Sequence, residues 1–231
     1  MEIVTSDGAA RVDVTRPVPG LPGAAQVPAG PAAFLLVLTH GSGGGVNTPD
    51  LLAVRDAALR LGGVVAMVTQ PYRVKGRPAP GSAARQDAAW LEVIAALRDT
   101  ALGSTALRRG PAGTAPAGGG AGLPLIQGGR SNGARVACRT ARAAGARAVV
   151  ALAFPLHPPG RPERSRAAEL RETGTGVLVV NGDRDPFGVP EVADATRLVV
   201  LAGESHALSR RPEAVADAVS SWLRDVLGLP R

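Results

Sequence analysis

Cysteine, lysine and aromatic residues are nearly missing from this chain. Cys138 is the only cysteine among 231 residues, so no disulfide closes within the chain and no cysteine-based metal site assembles. Lysine occurs once, at Lys75, and arginine supplies the other 25 basic side chains. Aromatic residues make up 3%, so the core must be built from Ala, Val and Leu, and helices must approach a sheet closely. Long apolar runs are missing too. Stretches such as "AAFLLVL" are too short to cross a bilayer, and "MEIVTSDGAARVDV" has no apolar block of the signal-peptide kind. These features predict a soluble, cytoplasmic protein without a membrane partner. The charge of +7 and pI of about 11.2 admit a nucleic-acid binder. The arginines are scattered, however, with no basic run and no interleaved aromatics, so no nucleic-acid partner is expected.

What is present is 45% hydrophobic residues, enough for one ordinary core and one domain over 1–231. Ile3, Val4, Val12 and Val14 alternate around Asp7-Gly8, which predicts an antiparallel hairpin. A Pro/Gly-rich connector, 16–32, leads to a buried strand at Phe34–Thr39. Strands and helices then alternate. Thr48-Pro49-Asp50 opens a helix, with threonine as cap, proline in the first turn and aspartate on the dipole. It runs to Leu61 and stops at Gly62. Val64–Thr69 is a strand. Ser82 caps a helix with Trp90, Val93, Ile94 and Leu97 on its apolar face. The low-complexity segment 103–122 reads as a mobile loop. Leu123–Gln127 is the next strand, and a helix with Ala134, Ala137, Cys138 and Ala141 on one face ends at Gly145. Cys138 is read as packing. Strands follow at Ala148–Phe154, Val177–Val180 and Leu198–Leu201, with helices around 164–172 and near 190–195. A closing helix carries Val215, Val219, Trp222, Leu223 and Val226. Continuous apolar strands alternating with helices predict an α/β, mostly parallel, doubly wound sheet with an N-terminal antiparallel hairpin. Such sheets bind ligands beyond the carboxyl ends of their strands.

Four strand ends carry chemistry. They read His40-Gly41-Ser42, Gly129-Arg130-Ser131-Asn132-Gly133, Asn181-Gly182-Asp183-Arg184-Asp185 and Gly203-Glu204-Ser205-His206. Gly-x-Ser-x-Gly between strand and helix is a nucleophile elbow, whose glycines clear space around a strained serine. A serine needs a base, and the base an orienting acceptor. Ser131, Asp185 and His206 fill these roles in the order Ser, Asp, His. Asp183 reads instead as a local turn contact. His157, in "FPLHPPG", is the competing base, but it precedes Asp185, against that order. The backbone N–H groups of Ser42 and Asn132 are the expected oxyanion donors. "GSGGG" is no phosphate loop, since no Lys-Ser/Thr pair follows it. His40, Gly41, Arg130 and His157 stand at the same rim as candidates to line substrate, although His40 before a glycine run also reads as a structural turn residue. The chemistry requires neither metal nor cofactor, and none is expected.

"THGSGGG", "GGRSNGARVACR", "ALAFPLHPPG", "NGDRDPFG" and "GESHAL" together resemble the α/β-hydrolase superfamily over roughly residues 33–226. Within it they are similar to the small branch related to dienelactone hydrolases. That branch includes a testis-expressed hydrolase-like protein and a subunit of the NSL chromatin acetyltransferase complex. "FPLHPPGRPERSRAAELR" and "RDPFG" are the most branch-specific parts. The resemblance implies Ser131 as nucleophile, Asp185 as acid and His206 as base, with donors near Ser42 and at Asn132. Asn132 departs from the small residue common in the branch, which predicts a narrower pocket.

The 22 residues 155–176 leave no room for a cap domain, so an open pocket is expected. The reading is a serine hydrolase of small or carrier-bound carboxylic esters or thioesters. The rival is a catalytically silent interaction domain that keeps the fold. A peptidase finds no peptide-binding domain in the sequence. Arg73, Lys75, Arg77, Arg130 and Arg161 follow strand ends, which suits an anionic substrate. An arginine-rich chain also places arginine everywhere.

Overall fold

The computed structural model describes residues 1–17, 32–100 and 122–230. Eight strands form one sheet in the order β1-β2-β4-β3-β5-β6-β7-β8. They are β1 Glu2–Thr5, β2 Gly8–Thr15, β3 Phe34–Thr39, β4 Gly63–Thr69, β5 Leu125–Arg130, β6 Ala148–Leu152, β7 Gly176–Gly182 and β8 Arg197–Leu201. The hairpin β1–β2 joins β4 antiparallel, with Val12 opposite Val68. All other neighbours run parallel. The α/β doubly wound expectation holds, hairpin included.

Among the described residues six helices accompany the sheet: α1 Pro49–Arg60, α2 Pro71–Val74, α3 Ala83–Asp99, α4 Asn132–Ala144, α5 Ala167–Arg171 and α6 Pro212–Leu227. A 3-10 turn spans Val192–Asp194, where the sequence suggested a short helix. Along β3 every residue is buried, and side chains alternate between the two faces. Phe34, Leu36 and Leu38 join Leu51, Val54, Trp222 and Leu223 from α1 and α6. Leu35 and Val37 join Trp90, Ile94 and Leu97 of α3 and Val136 of α4. Each large apolar side chain buried this way contributes roughly 1.5–3 kcal/mol. On α4 the buried face is Ala134, Ala137, Cys138 and Ala141, packed on Val149, Ala151, Val177 and Val179. Gln127, fully buried in β5, accepts from Trp90 Nε1 at 2.9 Å and donates to Ala137 O at 2.7 Å, so its amide is satisfied among apolar neighbours.

Several local expectations are corrected. Thr48 sits at the α1 N-cap, but its hydroxyl makes no cap bond. β5 begins two residues later than expected and runs on through Gly128 and Gly129, because both pair with β6. β6 stops at Leu152, where Ala153 turns to φ 44°. The α5 helix is only five residues long, and a four-residue helix, α2, follows β4. Ser82 does cap α3, accepting from Arg85 N, and Gly145 and Gly228 close α4 and α6 in the left-handed conformation. The loop reading of 103–122, all but Gly122, and most of the connector 16–32 lie outside the described residues. Between β6 and β7 the only helix is α5, so no cap domain is inserted there. No described helix is long and apolar enough to cross a membrane.

Candidate active site

β5 delivers Ser131 directly into α4. The serine has φ 53° and ψ −118°, a strained conformation for a residue with a side chain. Its N–H donates to Leu152 O on β6 at 2.9 Å, which locks the turn between two strands. A Cβ on Gly129 would lie 2.5 Å from Thr39 O, and one on Gly133 would lie 2.8 Å from both Thr39 O and His40 O. Only glycine lets the elbow sit this close to β3.

Two further strand ends converge on that hydroxyl. His206, in the loop between β8 and α6, places Nε2 2.9 Å from Ser131 Oγ. Its Nδ1 lies 2.8 Å from Asp185 Oδ2, in the loop after β7. A carboxylate only accepts, so Nδ1 carries the hydrogen and the Nε2 lone pair faces the serine O–H. The Asp185 side chain is fully buried and that of His206 is 20% exposed. Asp185 Oδ1 also accepts from Phe187 N at 2.9 Å, and Oδ2 from Asn181 Nδ2 at 3.4 Å. Asp183 instead accepts from Gly203 N at 2.7 Å, tying one loop to its neighbour. His157 donates from Nδ1 to Pro158 O at 2.9 Å and packs its ring on Gly188. It makes no hydrogen bond to Ser131 or Asp185.

The two expected oxyanion donors are backbone groups. Asn132 N–H opens α4 and Ser42 N–H lies in the loop after β3, and neither has an acceptor among the described residues. A Cβ on Gly41 would stand 3.1 Å from Ser131 Cβ, so this loop runs against the serine. Tyr72 on α2 holds it there, its hydroxyl donating to Ser42 O at 3.0 Å. The Asn132 side chain is buried and donates to Gln86 Oε1 at 2.6 Å. Its amide is thus committed to Gln86 on α3.

Two other candidates bond within the protein. His40 is fully buried. Gln70 N–H donates to its Nε2 at 3.0 Å, so Nδ1–H donates to Gly41 O at 2.8 Å. Both ring nitrogens are occupied, and nothing remains for a substrate. Burial, foremost, holds the imidazole below its ordinary range. Arg130 is engaged by protein on two sides: its Nε donates to Asp50 Oδ2 at 2.9 Å and its Nη2 to His206 O at 2.6 Å. Cys138, buried in α4, is pushed up to about 12 by desolvation and stays an inert thiol.

Sequence reasoning missed the supporting residues. Phe187 stacks on His206 with ring centroids 4.2 Å apart. Asn181 accepts from Phe154 N at 2.8 Å and donates to Gly188 O at 3.2 Å, anchoring the loop that carries Asp185. Gln70 and Tyr72 brace the loop after β3. The polar residues directly after β4 and within β7 were the available signal, since a strand end at this rim is where polar side chains find work.

Solved structures share this architecture across the whole chain. A lidless α/β serine hydrolase from Xanthomonas campestris is 18% identical, with TM-score 0.67 over 100% of this chain and 94% of that one. Est1E from Butyrivibrio proteoclasticus, with ferulic acid bound, is 15% identical, with TM-score 0.72 over 99% of each chain. Dienelactone hydrolase from Anabaena variabilis is 17% identical, with TM-score 0.68 over 100% of this chain and 97% of that one. Identities this low establish a common fold. No curated protein matches the sequence. Residues 32–216 match the family described as Alpha/beta hydrolase domain. That stretch runs from the start of β3 into α6 and holds the elbow and both loops that meet it; the chain belongs to the α/β hydrolase domain family.

Proposed function

We propose that the protein is a serine hydrolase of carboxylic esters or thioesters, working through an acyl-enzyme on Ser131. One observation carries this reading: the His206 imidazole lies between Ser131 Oγ at 2.9 Å and Asp185 Oδ2 at 2.8 Å. His206 takes the serine proton as Oγ attacks the carbonyl carbon, and Asp185 holds the tautomer and stabilises the imidazolium. The N–H groups of Ser42 and Asn132 receive the oxyanion, and loss of one such donor typically costs ~3 kcal/mol of transition-state stabilisation. His206 then gives the proton to the leaving alcohol or thiol. Water, deprotonated by the same imidazole, attacks the acyl carbon; the bond to Ser131 Oγ breaks, His206 returns the proton to that oxygen, and the acid leaves.

Without a cap between β6 and β7, the site suits small soluble substrates or an acyl group carried on a larger molecule. Gly41, beside Ser131, and His157, against Gly188, are the rim positions we assign to substrate contact. The motifs around residues 154–171 and 184–188 support placement in the small dienelactone-hydrolase-related branch with the testis-expressed and acetyltransferase-subunit proteins. The test is a panel of nitrophenyl esters and acyl thioesters of graded length, with fluorophosphonate labelling, on wild type and Ser131→Ala. Turnover and labelling in wild type, both abolished in the variant, support the reading. Folded wild type that neither turns over nor labels overturns it in favour of a silent interaction domain.

A further inference from the structure

We propose that Arg130 is a positioning residue for the base: held by the buried Asp50, it clamps the backbone of His206 to the elbow that carries Ser131. The kinetic part of this proposal rests on the hydrolase reading above.

Arg130 is the last residue of β5 and is peptide-bonded to Ser131. Its guanidinium donates in two directions, to Asp50 Oδ2 on α1 at 2.9 Å and to His206 O at 2.6 Å. The Asp50 side chain is fully buried, and that of Arg130 is 14% exposed. Asp50 Oδ1 has no partner among the described residues, so Arg130 is the only charge holding this carboxylate in place there. A buried ion pair is costly to desolvate, and apolar side chains of similar volume would fill the space at no such cost. The pair is therefore explained by what its free arm does. Asp185 fixes Nδ1 of His206 and Phe187 covers one ring face, but neither sets how far the His206 backbone stands from Ser131. Arg130 sets that separation directly, because its own backbone continues into the serine. Arginine suits the task because its planar fork presents donors in fixed directions, which a lysine ammonium cannot reproduce at both ends. The Asp50 carboxylate cancels the guanidinium charge, so the clamp does not oppose the imidazolium that forms next to it.

Two variants test the clamp. Arg130→Lys keeps a cation beside Asp50 and loses the second arm. The double variant Asp50→Asn with Arg130→Met removes both charges and leaves no buried carboxylate unpaired. We expect folded proteins whose kcat for a nitrophenyl ester falls about 10- to 100-fold with KM within about twofold, as for a displaced reacting group. The Nδ1 proton of His206, followed as a downfield NMR resonance, should broaden or vanish in both. Should the double variant not fold, Arg130→Lys decides alone. Unchanged kcat overturns the proposal, and so does raised KM at constant kcat, which would make Arg130 a substrate contact. Should wild type neither hydrolyse an ester or thioester nor label with fluorophosphonate, the hydrolase reading fails while the resonance still decides: its loss in the variants supports the clamp, and its persistence overturns it.

Discussion

His40 occupies the first position past β3, level with the residues that form the site, and its burial turned a candidate ligand contact into a structural pin. Its folded-state pKa lies below the ordinary 6.5; burial is the largest cause, the bond to Gly41 O opposes it, and the Arg73 charge adds to it. The sign follows from linkage. The unfolded chain takes up this proton first, so the His40 contribution is intact above about pH 6.5 and drains away as pH falls through the folded value. His40→Gln should therefore flatten the acid side of the stability profile, read as the denaturant midpoint between pH 7 and pH 5. An identical slope in wild type and variant would refute the assignment. Arg130, too, is engaged by protein. Both stand at the right rim, and from sequence alone a rim residue facing a ligand looks the same as one facing inward. Asp183 and Asp185 both lie between Ser131 and His206 in the chain, so order does not separate them; burial and contacts do, with Asp185 buried against His206 and Asp183 exposed and accepting from Gly203 N.

At the scale of elements, the elbow was the most legible part. Gly-x-Ser-x-Gly predicts a strained serine, and the close approach of Gly129 and Gly133 to Thr39 and His40 gives the physical reason. In Gly133→Ala the new methyl group would meet backbone on β3, and backbone yields less readily than a side-chain tip. The expected result is a loss of roughly 1–3 kcal/mol of stability by overpacking. A fall in kcat on the order of 100-fold should accompany it as Ser131 moves off the His206 line. Thermal unfolding and ester turnover measured on the same sample check both, and near-normal kcat would show that the elbow tolerates the shift. Element boundaries were less legible. Gly128 and Gly129 have weak strand propensity, yet pairing with Val150 and Ala151 extends β5 through them. Thr48 has the right chemistry for a cap, but its hydroxyl is buried without a partner.

For the whole molecule, charge is the property that acts at a distance. A net +7, with Arg73 on α2 and Lys75, Arg77 and Arg161 beyond strand carboxyl ends, should draw an anionic substrate toward the site. The expected result is a kcat/KM for an anionic ester that falls between low and high ionic strength, while a neutral ester of the same acyl group stays flat. Equal behaviour of the two would show that the arginines are spread without regard to the site. Arg130 takes no part in this steering, since Asp50 neutralises it.

The sequence alone determined the alternation of strands and helices, the elbow, and the order in which serine, carboxylate and histidine follow separate strands. Those features are local: they depend on periodicity, turn chemistry and spacing, which a chain carries wherever it goes. Only the tertiary structure decided that Arg130 grips Asp50 and the His206 backbone, that Phe187 covers the imidazole, and that His40 meets Gln70 and Asn132 meets Gln86. Each of these joins residues from about 20 to 80 positions apart. Which partner such a side chain meets is set by how the sheet brings its strand ends together, and one-dimensional spacing holds no record of that.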